Sequence, residues 1–172
     1  MTAHDGPVLH VIQGEHRVSD RPDILLTTVL GSCVSACLHD PQRRIGGMNH
    51  FLLPDVPGAR DIRHASAAME QLVNSLLKMG GRREDLVAKL FGGARMLQGL
   101  PDIGQRNAEA ALTFLKGEGI AVSAHSLGGT QARRVRFWPG SGRAQQMVLS
   151  DPNDVPLTRP APLPAGGSID LF

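Results

Sequence analysis

Cys33 and His50 stand at the two ends of a segment typical of a β-hairpin, and a thiol beside an imidazole is the pair that makes a cysteine nucleophile. Apolar residues alternate with more polar ones after Cys33, and Asp40-Pro41 is a common turn initiator. A turn centred on the Pro41–Gln42 bond places the thiol directly opposite the imidazole, with Cβ atoms about 4.5–5.5 Å apart. We therefore predict a catalytic thiol here. The alternative role for Cys33 is that of a small buried hydrophobe.

Neighbours of this pair carry groups that suit the same chemistry. Gly31-Ser32 allows a tight backbone turn before the cysteine, and the N–H groups of such a turn are expected to face a developing oxyanion. Asn49 is a polar neighbour of His50, and Thr27, on the preceding apolar run, is expected to supply a hydroxyl contact. Gly46-Gly47 in the return strand is a candidate bulge, and a slip of one residue there turns His50 to the other face. The predicted site therefore depends on the register of the hairpin.

Zinc binding is a second chemistry that the segment allows. It holds residues of the ligand types that zinc prefers: Cys33, Cys37, His39 and His50. Alternation along a strand puts the first three on one face, but a Cys-x3-Cys-x-His pattern along a flat strand spreads its ligands apart. We therefore predict structural roles for Cys37 and His39, with no bound metal and no cofactor.

A third motif, His125-Ser126-Leu127-Gly128, resembles the nucleophile elbow of lipases. In α/β-hydrolases the acid and then the histidine follow the serine along the chain. The sequence has no histidine after His125, and residues 134–138 alternate like a strand where that fold requires a helix. We therefore exclude this chemistry and interpret Gly128-Gly129 as a turn.

Composition bounds the partners and the compartment. The chain has 172 residues, of which 3% are aromatic and none is tyrosine, and its net charge is +2. Few stacking residues and a balanced charge argue against binding of nucleic acid. The N-terminus lacks the features of a signal peptide, and no apolar run reaches the length of a membrane span. Two cysteines without an export signal indicate free thiols in a reducing cytoplasm.

The pattern of apolar residues predicts one α+β domain over residues 1–150, with two main helices against an extensive mixed sheet or paired sheets. The helices are expected over 65–79 and about 106–116. Strands are expected over 8–13, 24–30, both arms of the hairpin, 86–91, 120–124, 135–138 and 147–149, with a polar link after residue 13.

The last part of the chain, residues 151–172, differs in composition. Prolines at 152, 156, 160, 162 and 164 predict an extended or flexible tail. Apolar residues reappear at its end, in Ser168-Ile169-Asp170-Leu171-Phe172. This end either packs back on its own domain or serves as a docking peptide for a partner.

A series of motifs in fixed order covers roughly residues 10–150: Leu30-Gly31-Ser32-Cys33, Gly46-Gly47-Met48-Asn49-His50-Phe51-Leu52-Leu53-Pro54, Phe91-Gly92-Gly93-Ala94, Ile103-Gly104-Gln105-Arg106-Asn107, and Gly128-Gly129 followed by Arg133-Arg134-Val135. Together they resemble the CheD family, the chemoreceptor glutamine deamidases of bacterial chemotaxis. The resemblance implies that Cys33 is the nucleophile, His50 its base and Thr27 the third member of the site. It also implies a β-sandwich flanked by helices, similar to bacterial toxins that deamidate glutamine.

The function that this resemblance implies is conversion of glutamines in the cytoplasmic helices of chemotaxis receptors to glutamate. A methylesterase side activity is expected from the chemistry, since a methyl ester of glutamate forms the same thioester. The implied partners are these receptors and a CheC-type phosphatase, without insertion into the membrane. The alternative is a non-catalytic adaptor that binds receptors or such a phosphatase. The chain departs from the family pattern at Ser126 and Ala132, where an acidic residue and a glycine are common, and neither position belongs to the predicted site.

Overall fold

The structure, a computed structural model, describes residues 4–53, 59–99, 101–150 and 169–172, with only the backbone described for 59–64. The strands in these ranges are β1 (Val8–His10), β2 (His16–Ser19), β3 (Leu25–Leu30), β4 (Val34–Asp40), β5 (Ile45–Asn49), β6 (Val87–Gly92), β7 (Ala121–Leu127), β8 (Arg133–Trp138), β9 (Arg143–Val148) and β10 (Ile169–Leu171). The helices are α1 (Ala59–Lys78) and α2 (Ile103–Gly117). Within the described ranges, no helix combines the length and the apolar character needed to cross a membrane.

The strands form two sheets that pack face to face. The first sheet has the order β1-β3-β8-β9-β10, and the second has the order β2-β5-β4-β6-β7. Neighbouring strands are antiparallel except for β1 with β3 and β6 with β7. Both helices cover the outer face of the second sheet, which gives three layers. The predicted α+β class, with two helices against paired sheets, is confirmed.

Strand β4 lies in the middle of the second sheet and separates two cores, because its side chains alternate between the two faces. Val34, Ala36 and Leu38 point to the helices and pack among their apolar residues. Cys37 points to the first sheet and lies in the core between the sheets. Cys33, just before the strand, packs at the border of that second core.

Helix α1 packs on the second sheet through one apolar stripe. The stripe has the three- and four-residue spacing of a helix face, and its members are completely buried: Met69, Leu72, Val73 and Leu76. Each such side chain contributes about 1.5–3 kcal/mol through its burial. The helix begins at Ala59, ahead of the predicted residue 65, and it gives way to Gly80, which has a φ of 103°.

Helix α2 begins at Ile103 rather than near residue 106, because Asp102 caps it. The carboxylate of Asp102 accepts a hydrogen bond from the backbone N–H of Gln105 at 2.9 Å. This earlier start places Asn107 in the second turn of the helix, where its side chain is completely buried.

The β4–β5 hairpin forms as predicted, but its register differs from the prediction by two residues. Asp40 pairs with Ile45, so the loop is Pro41–Arg44 and is not centred on the Pro41–Gln42 bond. Arg44 has a φ of 56°, and its N–H donates to the carbonyl oxygen of Asp40 at 2.8 Å. The predicted register was wrong because nothing in the sequence marks Arg44 as left-handed. A shift of two residues nevertheless keeps each side chain on its predicted face.

Strand β5 stays in regular register through Gly46 and Gly47, where the sequence suggested a bulge. Close packing explains both glycines. A Cβ on Gly46 would lie 2.6 Å from the carbonyl oxygen of Pro139, and a Cβ on Gly47 would lie 2.6 Å from Cγ1 of Val18. Because the register is regular, His50 lies at the same end of the hairpin as Cys33.

Two segments that were expected to be irregular form strands at sheet edges. His16–Ser19, in the predicted polar link, pairs with β5. Ile169–Leu171 pairs with β9, and the ring of Phe172 packs edge-on against Phe91 with 5.1 Å between centroids. The end of the chain therefore packs on its own domain, the first of the two interpretations given above. The rest of the predicted flexible tail, 151–168, lies outside the described residues, so the boundary at residue 150 stays a prediction.

Candidate active site

Cys33 and His50 lie at the same end of the hairpin. Cys33 directly precedes β4 and His50 directly follows β5. Beyond the strands, two backbone hydrogen bonds of 2.9 and 3.0 Å join Val34 to Phe51. This bridge makes Cys33 and His50 diagonal neighbours on one face, with Cα atoms about 7–8 Å apart. The structure thus brings the predicted pair together, but diagonally and not in direct opposition.

The imidazole of His50 is held by groups outside its own sheet. Its Nδ1 lies 2.8 Å from Oγ1 of Thr28, on β3, and 3.2 Å from the carbonyl oxygen of Val11. The hydroxyl of Thr28 donates its own hydrogen to Val11 at 2.6 Å. Because the carbonyl oxygen of Val11 only accepts and the Thr28 hydroxyl has one hydrogen, we assign the imidazole proton to Nδ1, which leaves Nε2 as a hydrogen-bond acceptor. This is the tautomer that a base for a neighbouring thiol requires.

The threonine beside the histidine is Thr28, whereas the sequence analysis assigned Thr27. Side chains alternate along β3, and Thr28 shares a face with Leu26 and Leu30, which pack between the sheets. Thr27 faces the other way, and its hydroxyl donates to the carbonyl oxygen of Val135 at 2.9 Å. The geometry therefore moves the third position of the candidate site from Thr27 to Thr28.

The turn that carries the thiol, Gly31–Cys33, is fixed from inside the protein through its carbonyl groups. The carbonyl oxygen of Gly31 accepts from the N–H of Ala94 at 3.0 Å, and that of Cys33 accepts from the N–H of Gly93 at 2.8 Å. These donors follow strand β6, so the end of β6 sets the position of the turn that precedes β4.

The middle carbonyl of this turn, that of Ser32, accepts from Nδ2 of Asn107 at 2.7 Å. The peptide bonds of the described residues are trans, so each inward carbonyl turns the next N–H outward. The N–H groups of Ser32 and Cys33 are therefore directed away from the interior. An oxyanion site before the cysteine would need such outward N–H groups, and Ser32 would contribute to it through its backbone.

Asn49, predicted as a supporting residue, braces the hairpin instead of facing the thiol. Its Oδ1 accepts from the N–H of Ala36 at 2.8 Å, and its Nδ2 donates to Sδ of Met69 at 3.5 Å. The side chain is 2% exposed. Asn49 thus fixes the strand end from which His50 emerges.

Burial sets the protonation of the two reactive groups. Removal from water raises the pKa of the Cys33 thiol to about 11. Removal from water also lowers the pKa of His50, against the opposing effect of its hydrogen bond to Val11. At neutral pH the thiol is therefore protonated and the imidazole is neutral. The arrangement suits a base that takes the thiol proton during attack, and not a resident thiolate–imidazolium pair.

A cavity of about 280 Å³ opens beside His50, between the loop that follows β1 and helix α1. Gln13 lines it from the loop and Gln71 lines it from the helix. The thiol of Cys33 donates to Oε1 of Gln13 at 3.9 Å, so a side-chain amide lies beside this thiol. The cavity is large enough for a second side-chain amide and water.

The residues considered as zinc ligands do not converge. Cys37 is buried between the sheets with its sulfur 4.0 Å from Oγ of Ser35, and burial raises its pKa to about 12. Nδ1 of His39 bonds to the carbonyl oxygen of Pro139 at 2.9 Å. Within the part of the chain that the structure describes, no three His, Cys, Asp or Glu side chains gather to hold a metal ion. Cys37 and His39 thus have structural surroundings.

The lipase-like motif lies at the end of strand β7 and in Gly128 directly after it, and Arg133 braces this segment. The guanidinium of Arg133 donates to the carbonyl oxygen of Ser126 at 2.6 Å, to its hydroxyl at 3.2 Å and to the carbonyl oxygen of Gly128. The N–H of Gly128 then donates to the carbonyl oxygen of Gly92 at 2.9 Å. Gly128 therefore supports the end of β6, which in turn holds the turn at Gly31–Cys33.

Sequence reasoning missed Thr28, the carbonyl of Val11 and Asn107. The face shared by Leu26 and Leu30 was a usable signal for Thr28, because it fixes the phase of β3. Asn107 stood at the end of a quoted motif, but nothing in a single sequence shows which carbonyl it bonds.

Comparisons with known proteins show the family of the chain. The family model described as CheD chemotactic sensory transduction matches residues 52–147. A probable chemoreceptor glutamine deamidase CheD of Caulobacter vibrioides is 50% identical, with 98% of this chain and 97% of that protein covered. One of Agrobacterium fabrum is 47% identical, with 95% and 96% covered.

The solved structures give a weaker likeness. Neisseria meningitidis protein NMB0706 shares 14% identity and a TM-score of 0.48 over 73% of this chain and 64% of that one. Bacillus licheniformis hypothetical protein YfiH shares 15% identity and a TM-score of 0.47 over 72% and 60%. The family match and the near-full-length relatives establish that the chain belongs to the CheD family.

Proposed function

We propose that this protein is a chemoreceptor glutamine deamidase in which Cys33 is the nucleophile and His50 the general base. The observation that carries the proposal is the hydrogen bonding of His50: Thr28 and Val11 hold Nδ1, so Nε2 is left for the thiol on the same face. The relatives named above are called probable chemoreceptor glutamine deamidases, which supports the choice of substrate.

The reaction begins with transfer of the thiol proton of Cys33 to Nε2 of His50 as the sulfur attacks the side-chain amide carbon of a glutamine. The N–H groups of Ser32 and Cys33 donate to the resulting oxyanion, a contribution of about 3–4 kcal/mol in comparable sites. His50 then gives its proton to the leaving nitrogen, and ammonia departs from a thioester. Water, deprotonated by His50, hydrolyses the thioester to glutamate and restores the thiol.

A methyl ester of glutamate forms the same thioester with loss of methanol, so a methylesterase side activity follows from the same steps. Because the substrate glutamines lie on cytoplasmic helices of the receptors, we place the protein in the cytoplasm. A CheC-type phosphatase as a second partner stays a prediction from the family resemblance.

The test is incubation of the purified protein with cytoplasmic fragments of chemotaxis receptors, followed by mass spectrometry of glutamine-to-glutamate conversion. Wild-type protein should convert specific glutamines, Cys33→Ala should not, and Cys37→Ser is the matched control at a buried thiol. Equal conversion by wild type and Cys33→Ala would refute the catalytic proposal. Binding of the fragments without conversion would favour the non-catalytic adaptor.

A further inference from the structure

We infer that Asn107 is a positioning residue of this site, which orients the Ser32–Cys33 peptide so that its N–H group meets the oxyanion. The inference rests on the proposed function. Asn107 does not touch the substrate. It acts through the backbone of the nucleophile turn.

The side chain of Asn107 joins the two segments that carry the reactive groups. Its Nδ2 donates to the carbonyl oxygen of Ser32 at 2.7 Å, directly before Cys33. Its Oδ1 accepts from the N–H of Leu53 at 2.8 Å, shortly after His50. Asn107 is 0% exposed, so neither bond competes with water.

The position of the bond to Ser32 is what links Asn107 to catalysis. The carbonyl of Ser32 and the N–H of Cys33 belong to one trans peptide unit and point in opposite directions. A donor that fixes the carbonyl inward therefore fixes the N–H outward. Without this donor, the peptide loses the partner that holds it, and rotation of the unit removes one oxyanion donor.

Close packing of helix α2 brings Asn107 within reach. A Cβ on Gly104 would lie 2.4 Å from the carbonyl oxygens of Gly93 and Ala94. The first turn of the helix thus rests directly on the segment that donates to Gly31 and Cys33. The helix and the strand end hold the nucleophile turn as one unit.

If Asn107 only stabilised the fold, its replacement would lower the alkylation of Cys33 and the deamidation of substrate together. If it positions the Ser32–Cys33 peptide, its replacement would lower deamidation and leave alkylation unchanged. Alkylation of a thiol by iodoacetamide displaces iodide and forms no oxyanion. Deamidation passes through an oxyanion. Loss of one oxyanion donor typically lowers kcat by about 10²–10³. The two rates therefore report separately on the thiol and on the peptide that precedes it.

The main variant is Asn107→Leu, which keeps the size of the side chain and removes both hydrogen bonds. We expect kcat for receptor deamidation to fall about 100-fold, with little change in KM and in the rate of Cys33 alkylation. Ser19→Ala is the control, since it removes another buried polar side chain, whose Oγ accepts from the N–H of Arg21 at 3.0 Å, at the end of β2 that is remote from Cys33. This control should keep the kcat of the wild type.

The second variant, Asn107→Asp, retains an oxygen for the N–H of Leu53 and serves if Asn107→Leu does not fold. Its protonated carboxyl donates to Ser32 and its carboxylate does not, so its deamidation rate should rise relative to wild type as the pH falls. A wild-type kcat in these variants, or a parallel loss of deamidation and alkylation, would overturn the inference. Neither result touches the proposed function, which fails only if Cys33→Ala still deamidates.

Discussion

The two ends of strand β4 use their polar groups in opposite ways. At the end marked by Asp40, a completely buried carboxylate accepts from the N–H groups of Gln42, Arg43 and Arg82 and from the Arg43 guanidinium, at 2.9–3.2 Å. At the other end, beside Cys33, the imidazole of His50 and the peptides of the Gly31–Cys33 turn are each held on one side. The imidazole is held by Nδ1 and the nucleophile turn by its carbonyl groups.

The difference separates stability from chemistry within a single strand. A polar cluster whose donors and acceptors are all used has no capacity left for a substrate, so it stabilises the fold alone. A site in which the protein bonds one atom of each polar group fixes the position of that group. The second polar atom stays available to a substrate. Substitution at Asp40, the closed end of β4, should therefore change the free energy of unfolding. Substitution beside Cys33, the open end, should change the rate of the reaction.

The largest effect is expected at the open end. Cys33→Ala should lower receptor deamidation by about 10³-fold or more, because the covalent pathway is removed. Its free energy of unfolding should stay within about 0.5–1 kcal/mol of wild type, since the side chain lies at the border of the core. Urea denaturation alongside the mass-spectrometric assay checks both numbers. A large loss of stability would show that the thiol is a core residue first.

The closed end should give the reverse result. Asp40→Ala leaves Arg43 and the surrounding N–H groups without their carboxylate, and we expect a loss of about 3 kcal/mol in the free energy of unfolding. The kcat of the folded variant should match wild type. Urea denaturation measures the first quantity and deamidation at low temperature the second. A lower kcat at unchanged stability would mean that the two ends of β4 are coupled.

Adjacent threonines offer a finer test of the open end. Thr28→Val removes the hydroxyl between His50 and Val11, and kcat should fall about 10–100-fold, part of what general base catalysis contributes. Thr27→Val is the matched control on the same strand, where loss of the bond to Val135 should cost about 1 kcal/mol of stability and leave kcat unchanged. Equal effects in the two variants would remove Thr28 from the site.

The smallest effect is a pH dependence at the open end. Because burial raises the pKa of Cys33 to about 11, the thiolate fraction grows as the pH rises toward that value. Alkylation of Cys33 should therefore accelerate up to about tenfold per pH unit between about pH 8 and 10, without a plateau on the acid side. Measuring alkylation in the Cys37→Ser variant leaves Cys33 as the one cysteine that can react. A plateau beginning near pH 6 would indicate a resident thiolate–imidazolium pair and contradict the neutral pair.

Local patterns in the sequence predicted much of this contrast. The alternation around Cys33 and His50 placed them on one face of a hairpin, and the helical spacing in α1 and α2 predicted both helices. The shared strand period also explains why a register wrong by two residues still put the correct side chains on one face.

The remaining features depend on contacts between distant parts of the chain. Arg44 adopts a left-handed conformation that its residue type does not favour, so the length of the hairpin loop could not be predicted from the sequence. The choice between Thr27 and Thr28 depends on which face of β3 packs against the second sheet. The bond from Asn107 to Ser32 joins residues that no periodicity connects.

The hydrogen bonds to the nucleophile turn also set the order in which the protein matures during synthesis. Thr28, Cys33 and His50 leave the ribosome early, whereas the donors of Gly93, Ala94 and Asn107 follow after more than half of the chain has been made. At about 5–20 residues per second, seconds pass between the two events. A nascent chain, or one cut before Asn107, thus carries the thiol without the donors that hold the Gly31–Cys33 turn. Under the proposed mechanism, deamidation should begin only when the later half of the domain has folded onto the earlier one.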